Sequence, residues 1–292
     1  MAERLVIIGA GMAAGRLLDH LSEEAPDAFA ITLFNAEPRG SYNRIMLSPV
    51  LSGETRFEEI VTHDDAWYAA RGITTRFGER VTAIDRAAKV VTGENGPVPY
   101  DRLVIATGSA PFMLPLPGAD LAGVIAYRDL EDTQAMIDAA ARPGTRAVVI
   151  GGGLLGLEAA AGLQLRGVEV SVVHNNPWLM DRQLDEAAGF LLRKALTERG
   201  IRVHCSAQSD AILGEDGRVR ALRLKDGTEL PCDLLIMAVG IRPSVALSRA
   251  AGLAVNRGMI VDDAMRTADP AVYGLGECTE HDGAVFGLVA PL

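Results

Sequence analysis

Two glycine clusters in this chain have the spacing that brings a polypeptide backbone against a phosphate. Gly9, Gly11 and Ala14 follow the apolar run RLVII (residues 4–8), and Gly151, Gly153 and Gly156 follow RAVVI (146–150). In a G-x-G-x-x-G/A loop the first glycine permits the tight turn and the second lets the main chain approach a pyrophosphate. The third position must be small, so that the helix it opens can pack on the preceding strand. That helix presents the positive end of its dipole and its unpaired N–H groups to the negative charge. Met12 and Ala13 open the first helix, and Leu154 and Leu155 the second. The chemistry such a pair points to is the binding of two dinucleotides in one chain.

The residue closing the next strand discriminates between nucleotides. After the first loop that strand is AITLF (30–34), and Glu37 follows it, placed to bond a ribose hydroxyl pair. After the second loop the strand ends VVHNN, with His174 where an Asp or Glu would grip the 2′-OH of NAD. No arginine follows at once to clamp the 2′-phosphate of NADP. A histidine, neutral or charged near pH 7, serves either cofactor, so the pattern leans to NADH and leaves NADPH open.

The elements that must position these residues come as a repeat. Strand, glycine turn, apolar-periodic helix and second strand occur once from residue 4 and again over 146–173 (RAVVI, GGGLLG, LEAAAGLQLRG, VEVSVV). Continuous apolar strands alternating with helices imply parallel sheets covered on both faces. Between the repeats lie short β-like runs, RVTAID, KVVTG and DRLVIATG, and then the proline-rich PFMLPLPG (111–118), which reads as a linker. A second linker, VGIRP (239–243), carries Gly240, and MIVDDAMRTADPAVYGLGEC (259–278) reads as two strands returning to a sheet. The fold predicted is α/β with two Rossmann-like domains, the second inserted into the first. The boundaries fall at 1–113, 114–241 and 242–292. The stretch 180–200 reads as an amphipathic scaffold helix.

Composition narrows the partners. A formal net charge of −10 argues against nucleic acid and against anionic membrane surfaces. The three cysteines, Cys205, Cys232 and Cys278, form no C-x-x-C pair. They suit a reducing cytoplasm rather than a disulfide scaffold, and cannot supply the four thiolates of an iron–sulfur cluster. The N-terminus enters a strand directly, without a signal-peptide pattern, and no apolar run approaches the ~20 residues that span a bilayer. His281 has no second His or Cys at ligand spacing, so no metal site is expected. Trp67 and Trp178 read as core or interface anchors.

With both loops in view, the chain resembles the pyridine-nucleotide flavoprotein reductases, the group around glutathione reductase. LVIATGSAP (103–111) resembles that family's ATG segment, RVTAID (80–85) its adenine-holding strand, and TADPAVYGLGEC (267–278) its second FAD motif. The resemblance implies FAD against Gly9, Gly11, Met12, Ala13, Ala14, Glu37, Val81, Ala106, Thr107, Gly108, Gly276 and Glu277. Glu277 stands where most members have Asp. It implies NAD(P)H at Gly151, Gly153, Leu154, Leu155, Gly156, Glu158, His174 and Gly240. Arg44 and Ser48 become candidates for polar groups along the flavin ring, and Glu158 for the nicotinamide end.

YNRIMLSPVLSGE (42–54), HNNPWLMDRQLD (174–185) and GECTEHDGAVFGLVAPL (276–292) are most similar to the N-terminal module of assimilatory NAD(P)H nitrite reductases. The electron-transfer subunits of assimilatory nitrate reductase share these motifs. In that family the module passes electrons from NAD(P)H through FAD to iron–sulfur and sirohaem centres, which makes a downstream reductase domain or subunit the implied partner. Two departures qualify this. Residues 40–50 contain no cysteine, so the redox dithiol of the glutathione-reductase branch is excluded. The chain also lacks the cysteine sets of the later regions, so it reads as a truncated or stand-alone module. A rubredoxin or ferredoxin reductase acting on a separate carrier is the alternative. A non-enzymatic NADH sensor would need only one of the two nucleotide sites.

Overall fold

The computed structural model describes residues 2–285; the GLVAP part of the C-terminal motif lies outside them. The chain divides into two compact units, one built from Met1–Asn43, Ile60–Ala110 and Arg242–Leu292, the other from Arg44–Glu59 and Pro111–Ile241.

In the first unit the strand Glu3–Ile8 is the centre of a five-stranded parallel sheet. Phe29–Asn35 and Arg102–Ile105 flank it, with Thr74–Phe77 and Val272–Gly274 outermost. Its apolar run divides between two cores. Leu5 and Ile7 pack with Leu18, Leu33 and Tyr68, whereas Val6 and Ile8 pack with Phe34, Leu103, Ile105 and Val272. A strand buried on both faces needs an unbroken apolar sequence, and each such side chain contributes about 1.5–3 kcal/mol on leaving water. Val81–Asp85, Val90–Gly93 and Gly96–Pro99 form a separate antiparallel sheet. Of the two strands expected in 259–278, Val272–Gly274 joins the large sheet beside Arg102–Ile105. Met259–Ile260 instead pairs with Thr279–His281 in a small sheet.

The second unit repeats the plan. Arg146–Ile150 lies between Glu169–Val173 and Leu234–Met237, with Arg202–His204 and Val124–Ala126 at the edges, all parallel. An antiparallel sheet of Ser209–Glu215, Arg218–Leu224 and Glu229–Pro231 shares its core through Ile212, Leu222 and Leu224.

Two features depart from the sequence reading. Residues 44–59, assigned there to the first domain, belong to the second unit. Leu51, fully buried, seats its side chain on the helix Leu154–Leu165 at Gly162, where a Cβ would come within 2.8 Å of Leu51 Cγ. Arg166 donates to the Val50 carbonyl (3.2 Å) and to that of Leu51. A short helix bound by knob-in-notch packing leaves no periodicity long enough to read. Within the 180–200 stretch, the helix Glu186–Glu198 buries only Gly189, against Trp178, and Leu196; Phe190 and Leu191 are each 65% exposed. Among the described residues no helix is long and apolar enough to cross a membrane.

Candidate dinucleotide sites

Four segments of the first unit converge at the C-terminal ends of its parallel strands. Gly9 takes φ +105°, and a Cβ there would lie 2.3 Å from the Ala106 carbonyl oxygen. The glycine is required both by the left-handed turn and by the close approach of strand end to loop. Ala106 N–H in turn donates to Ile8 O (2.8 Å). Ala14, fully buried, keeps the helix Met12–Glu24 close to the sheet. Gly276, at φ +75°, passes over the start of that helix, where a Cβ would sit 3.0 Å from Ala13 Cβ. Glu277 accepts from Ser109 Oγ (2.5 Å), and Thr107 Oγ1 donates to Ser244 O (2.8 Å). Gly108, at φ +63°, accepts from Ser244 N–H (2.8 Å). The Gly9 loop, the Ala106–Ser109 segment and the Gly276–Glu277 pair are thereby fixed to one another.

Glu37 Oε2 accepts from the Tyr42 hydroxyl (2.9 Å), with Arg39 at 3.7 Å. Val81, buried, pairs with Gly93 across the antiparallel sheet. Two residues overlooked in the sequence hold this region. Asn35 closes its strand, takes the Ala10 N–H at 3.5 Å, and donates to Arg39 O (2.7 Å). Glu79, buried, accepts from Asn95 N–H and Asn95 Nδ2 (both 3.0 Å) and from Arg76 (3.3 Å). Burial opposes the charge on Glu79, but these donors hold its carboxyl below the usual range. Neither residue belongs to a motif; each is a polar side chain defined by what lies behind a loop.

In the second unit Gly151 takes φ +124°, and a Cβ there would meet Ala238 O at 2.2 Å; at Gly156 it would meet Gly151 O at 2.1 Å. Gly240, at φ +116°, accepts from Phe112 N–H (2.9 Å). Leu154 and Leu155, at the start of the loop helix, are 46% and 37% exposed. His174 is buried at its strand end. Its Nδ1 accepts the Gly152 N–H (3.2 Å), and its Nε2 lies 3.0 Å from Asp181 Oδ1. With Nδ1 taken by the Gly152 N–H, Nε2 is the ring nitrogen left to donate to Asp181.

Arg44 and Ser48 are both carried by the second unit. Ser48 Oγ donates to Glu158 Oε2 (2.7 Å) and lies 3.1 Å from the Tyr127 hydroxyl; Arg44 donates to Arg128 O (3.3 Å). Burial pushes the Tyr127 phenol up to about 12, so Tyr127 is neutral at physiological pH. Nothing in the sequence marks Tyr127, which follows the short edge strand Val124–Ala126 outside any periodic pattern.

The fit of these loops to dinucleotide phosphate is testable in the helix caps. The helices Asp65–Ala70, Leu130–Ala140 and Glu186–Glu198 are closed by Asp64, Asp129 and Asp185, whose carboxylates accept helix N–H groups. The two loop helices begin instead on Gly11 and Gly153, with no side-chain cap and no acid in the first turn. A Cβ at either glycine would meet nothing within 4 Å. Uncapped donors facing open space fit an external anion in both units.

The cysteines behave as inert side chains. Cys278 Sγ donates to Ile105 O (3.4 Å) and Leu275 O (3.3 Å), and burial raises its thiol pKa; burial pushes Cys232 up to about 12. The three are free thiols. His281 pairs with Asp263 (2.7 Å) at the surface.

Two glycine-opened helices on two parallel sheets, each with a polar group at the next strand end, define an oxidoreductase module of the two-dinucleotide α/β class. The model of the pyridine nucleotide-disulphide oxidoreductase family matches residues 3–288, and the chain belongs to that family, among the FAD-dependent NAD(P)H oxidoreductases. It is 49% identical over 291 residues to "Nitrite reductase [NAD(P)H]" of Bacillus subtilis (strain 168), covering 99% of this chain and 36% of that protein. It is 36% identical to the ferredoxin–NAD(+) reductase component of the biphenyl dioxygenase system of Paraburkholderia xenovorans (strain LB400), covering 95% of this chain and 67% of that protein. Among solved structures, the ferredoxin reductase for the CYP199A2 system from Rhodopseudomonas palustris superposes with a TM-score of 0.89 at 30% identity, covering 98% of this chain and 72% of that one. The chain spans about a third of the length of the nitrite reductase it matches.

Proposed function

We propose that this chain is the NAD(P)H-oxidising FAD module of an assimilatory nitrite or nitrate reductase, with NADH the preferred donor. The observation carrying this reading is the pair of uncapped, glycine-opened helices, one in each unit. The 49% identity to a nitrite reductase over nearly the whole chain supports the assignment to that system. Gly9, Gly11, Met12, Ala13 and Ala14 would hold the FAD pyrophosphate, Glu37 its ribose and Val81 its adenine. Ala106, Thr107, Gly108, Gly276 and Glu277 would hold the ribityl side. Gly151, Gly153, Leu154, Leu155, Gly156 and Gly240 would line the nicotinamide dinucleotide, with His174 toward its ribose.

When bound, the two cofactors supply hydride acceptance and one-electron release, chemistry that no side chain of the protein offers. The chain's own residues bind and orient. The uncapped helix N-termini neutralise phosphate charge, and Glu277 is held by Ser109 while still presenting a carboxylate. Ser48, with Tyr127 behind it, holds Glu158 in one orientation at the start of the second helix. No residue need move a proton for hydride transfer itself. The electrons would pass on to an iron–sulfur or sirohaem centre in a downstream domain or subunit. The similarity to a ferredoxin–NAD(+) reductase component favours one alternative, a separate small carrier as acceptor.

The test is an anaerobic titration of the FAD-supplemented protein with NADH, and separately with NADPH, read at the flavin absorbance. Bleaching supports the reading. A protein that binds no flavin, or one whose flavin stays oxidised with NADH bound, refutes it. Tighter bleaching by NADPH reverses the donor preference alone.

A further inference from the structure

A Rossmann strand that selects NAD ends in an acid whose carboxylate meets the adenosine ribose, and one that selects NADP ends near an arginine. Here the strand Glu169–Val173 is followed by His174, and no acid stands in that place. The structure supplies the missing charge from further along the chain. Residues after His174 fold back against the phosphate loop: Met180 N–H donates to Gly152 O (2.8 Å), and Leu179 reaches within 2.6 Å of where a Gly152 Cβ would be. This return brings Asp181 onto His174, Oδ1 at 3.0 Å from Nε2. Asn176 Nδ2 fixes the other oxygen at 2.7 Å. Both ring nitrogens of His174 are therefore engaged, one by the loop backbone and one by Asp181. The imidazole acts as a spacer, and the charge at this strand end belongs to the carboxylate. Asp181 remains a quarter exposed, whereas the ring is 9% exposed.

We propose that Asp181, positioned by His174 and Asn176, is the residue that selects NADH over NADPH in this chain. Each carboxylate oxygen has a lone pair left after its one donor, able to accept from a ribose 2′-OH. A 2′-phosphate brought to the same place would meet an anion in partly dry surroundings. Arg182, next in sequence and exposed, is the residue that could reverse the preference. The inference rests on the reading that the Gly151 loop binds a nicotinamide dinucleotide.

The test measures binding, not turnover. Dissociation constants for NAD+ and NADP+ are measured by titration calorimetry on the FAD-supplemented chain, wild type against D181N, D181S and R182A, with melting temperatures as a check on folding. Wild type should bind NAD+ more tightly. In D181N the ratio of the NADP+ to the NAD+ constant should fall by about tenfold, the scale of losing one like charge a few ångströms from a phosphate. D181S should follow D181N, which covers the case of an amide that packs poorly on His174. An unchanged ratio in two folded Asp181 variants overturns the proposal and leaves the nucleotide site standing. So does tighter NADP+ binding by wild type that is lost in R182A. Failure of wild type to bind either nucleotide overturns both.

Discussion

Single side chains with two or three committed partners set the chemistry of this module. Ser48 gives its only hydrogen to Glu158 and sits against Tyr127. S48A should lower the rate of flavin reduction by NADH about tenfold in stopped-flow spectroscopy, the cost of one donor lost to a charged acceptor. FAD content should be unchanged, and S48T should restore most of the rate. Asp132 has the reverse character. Burial first, and Asp129 second, push its carboxyl up to about 6, while Arg128 N–H bonds it at 2.7 Å. The folded chain keeps that proton to about pH 6, whereas the unfolded chain releases it near the ordinary carboxyl value of 3.8. Stability is therefore lost as pH rises through that window, and stays lower above it. D132N keeps an acceptor for Arg128 and removes the charge. It should raise stability at pH 7.5 by about 1–2 kcal/mol once partial solvent access is allowed for, and change little at pH 3.5, as read by urea denaturation.

At the scale of elements, each glycine loop holds a glycine that its backbone requires and another that stands in open space. Gly9 and Gly151 have positive φ and a carbonyl in the way of any Cβ, so G9A or G151A should cost about 2–4 kcal/mol in denaturation. Gly11 and Gly153 have extended backbone and open space. G11A and G153A should fold with unchanged or slightly higher melting temperatures. G11A should weaken FAD binding, and G153A NAD+ binding, by tenfold or more, because the new methyl occupies the room a pyrophosphate needs. Equal melting losses at all four positions would remove the case for ligand-facing cradles.

At the scale of the molecule, the chain carries a net charge of −10 and three cysteines, all free thiols. The chain cannot furnish four thiolates to a cluster. With FAD and NADH it should reduce ferricyanide while consuming no nitrite. Nitrite loss catalysed by the purified chain, assayed colourimetrically, would require a centre these residues do not form.

The sequence by itself showed both glycine loops, the strands and helices on either side of them, and where the cysteines stand. These are local patterns: glycine spacing, apolar periodicity and the positions of cysteines. Tertiary structure decided what local patterns cannot carry. The segment 44–59 joined the second unit because Leu51 fits the notch at Gly162. Ser48 meets Glu158, 110 residues away in sequence. His174 and Glu37 were legible as strand-end residues, but not the partners that complete them, Asp181 and Tyr42. Nor were Asn35, Glu79 and Tyr127, whose roles depend on the loops and helices packed against them. A strand or a glycine turn is specified by its neighbours along the chain. A buried polar side chain is specified by whichever donor or acceptor the folded chain brings within about 3 Å of it, and sequence separation does not record that distance.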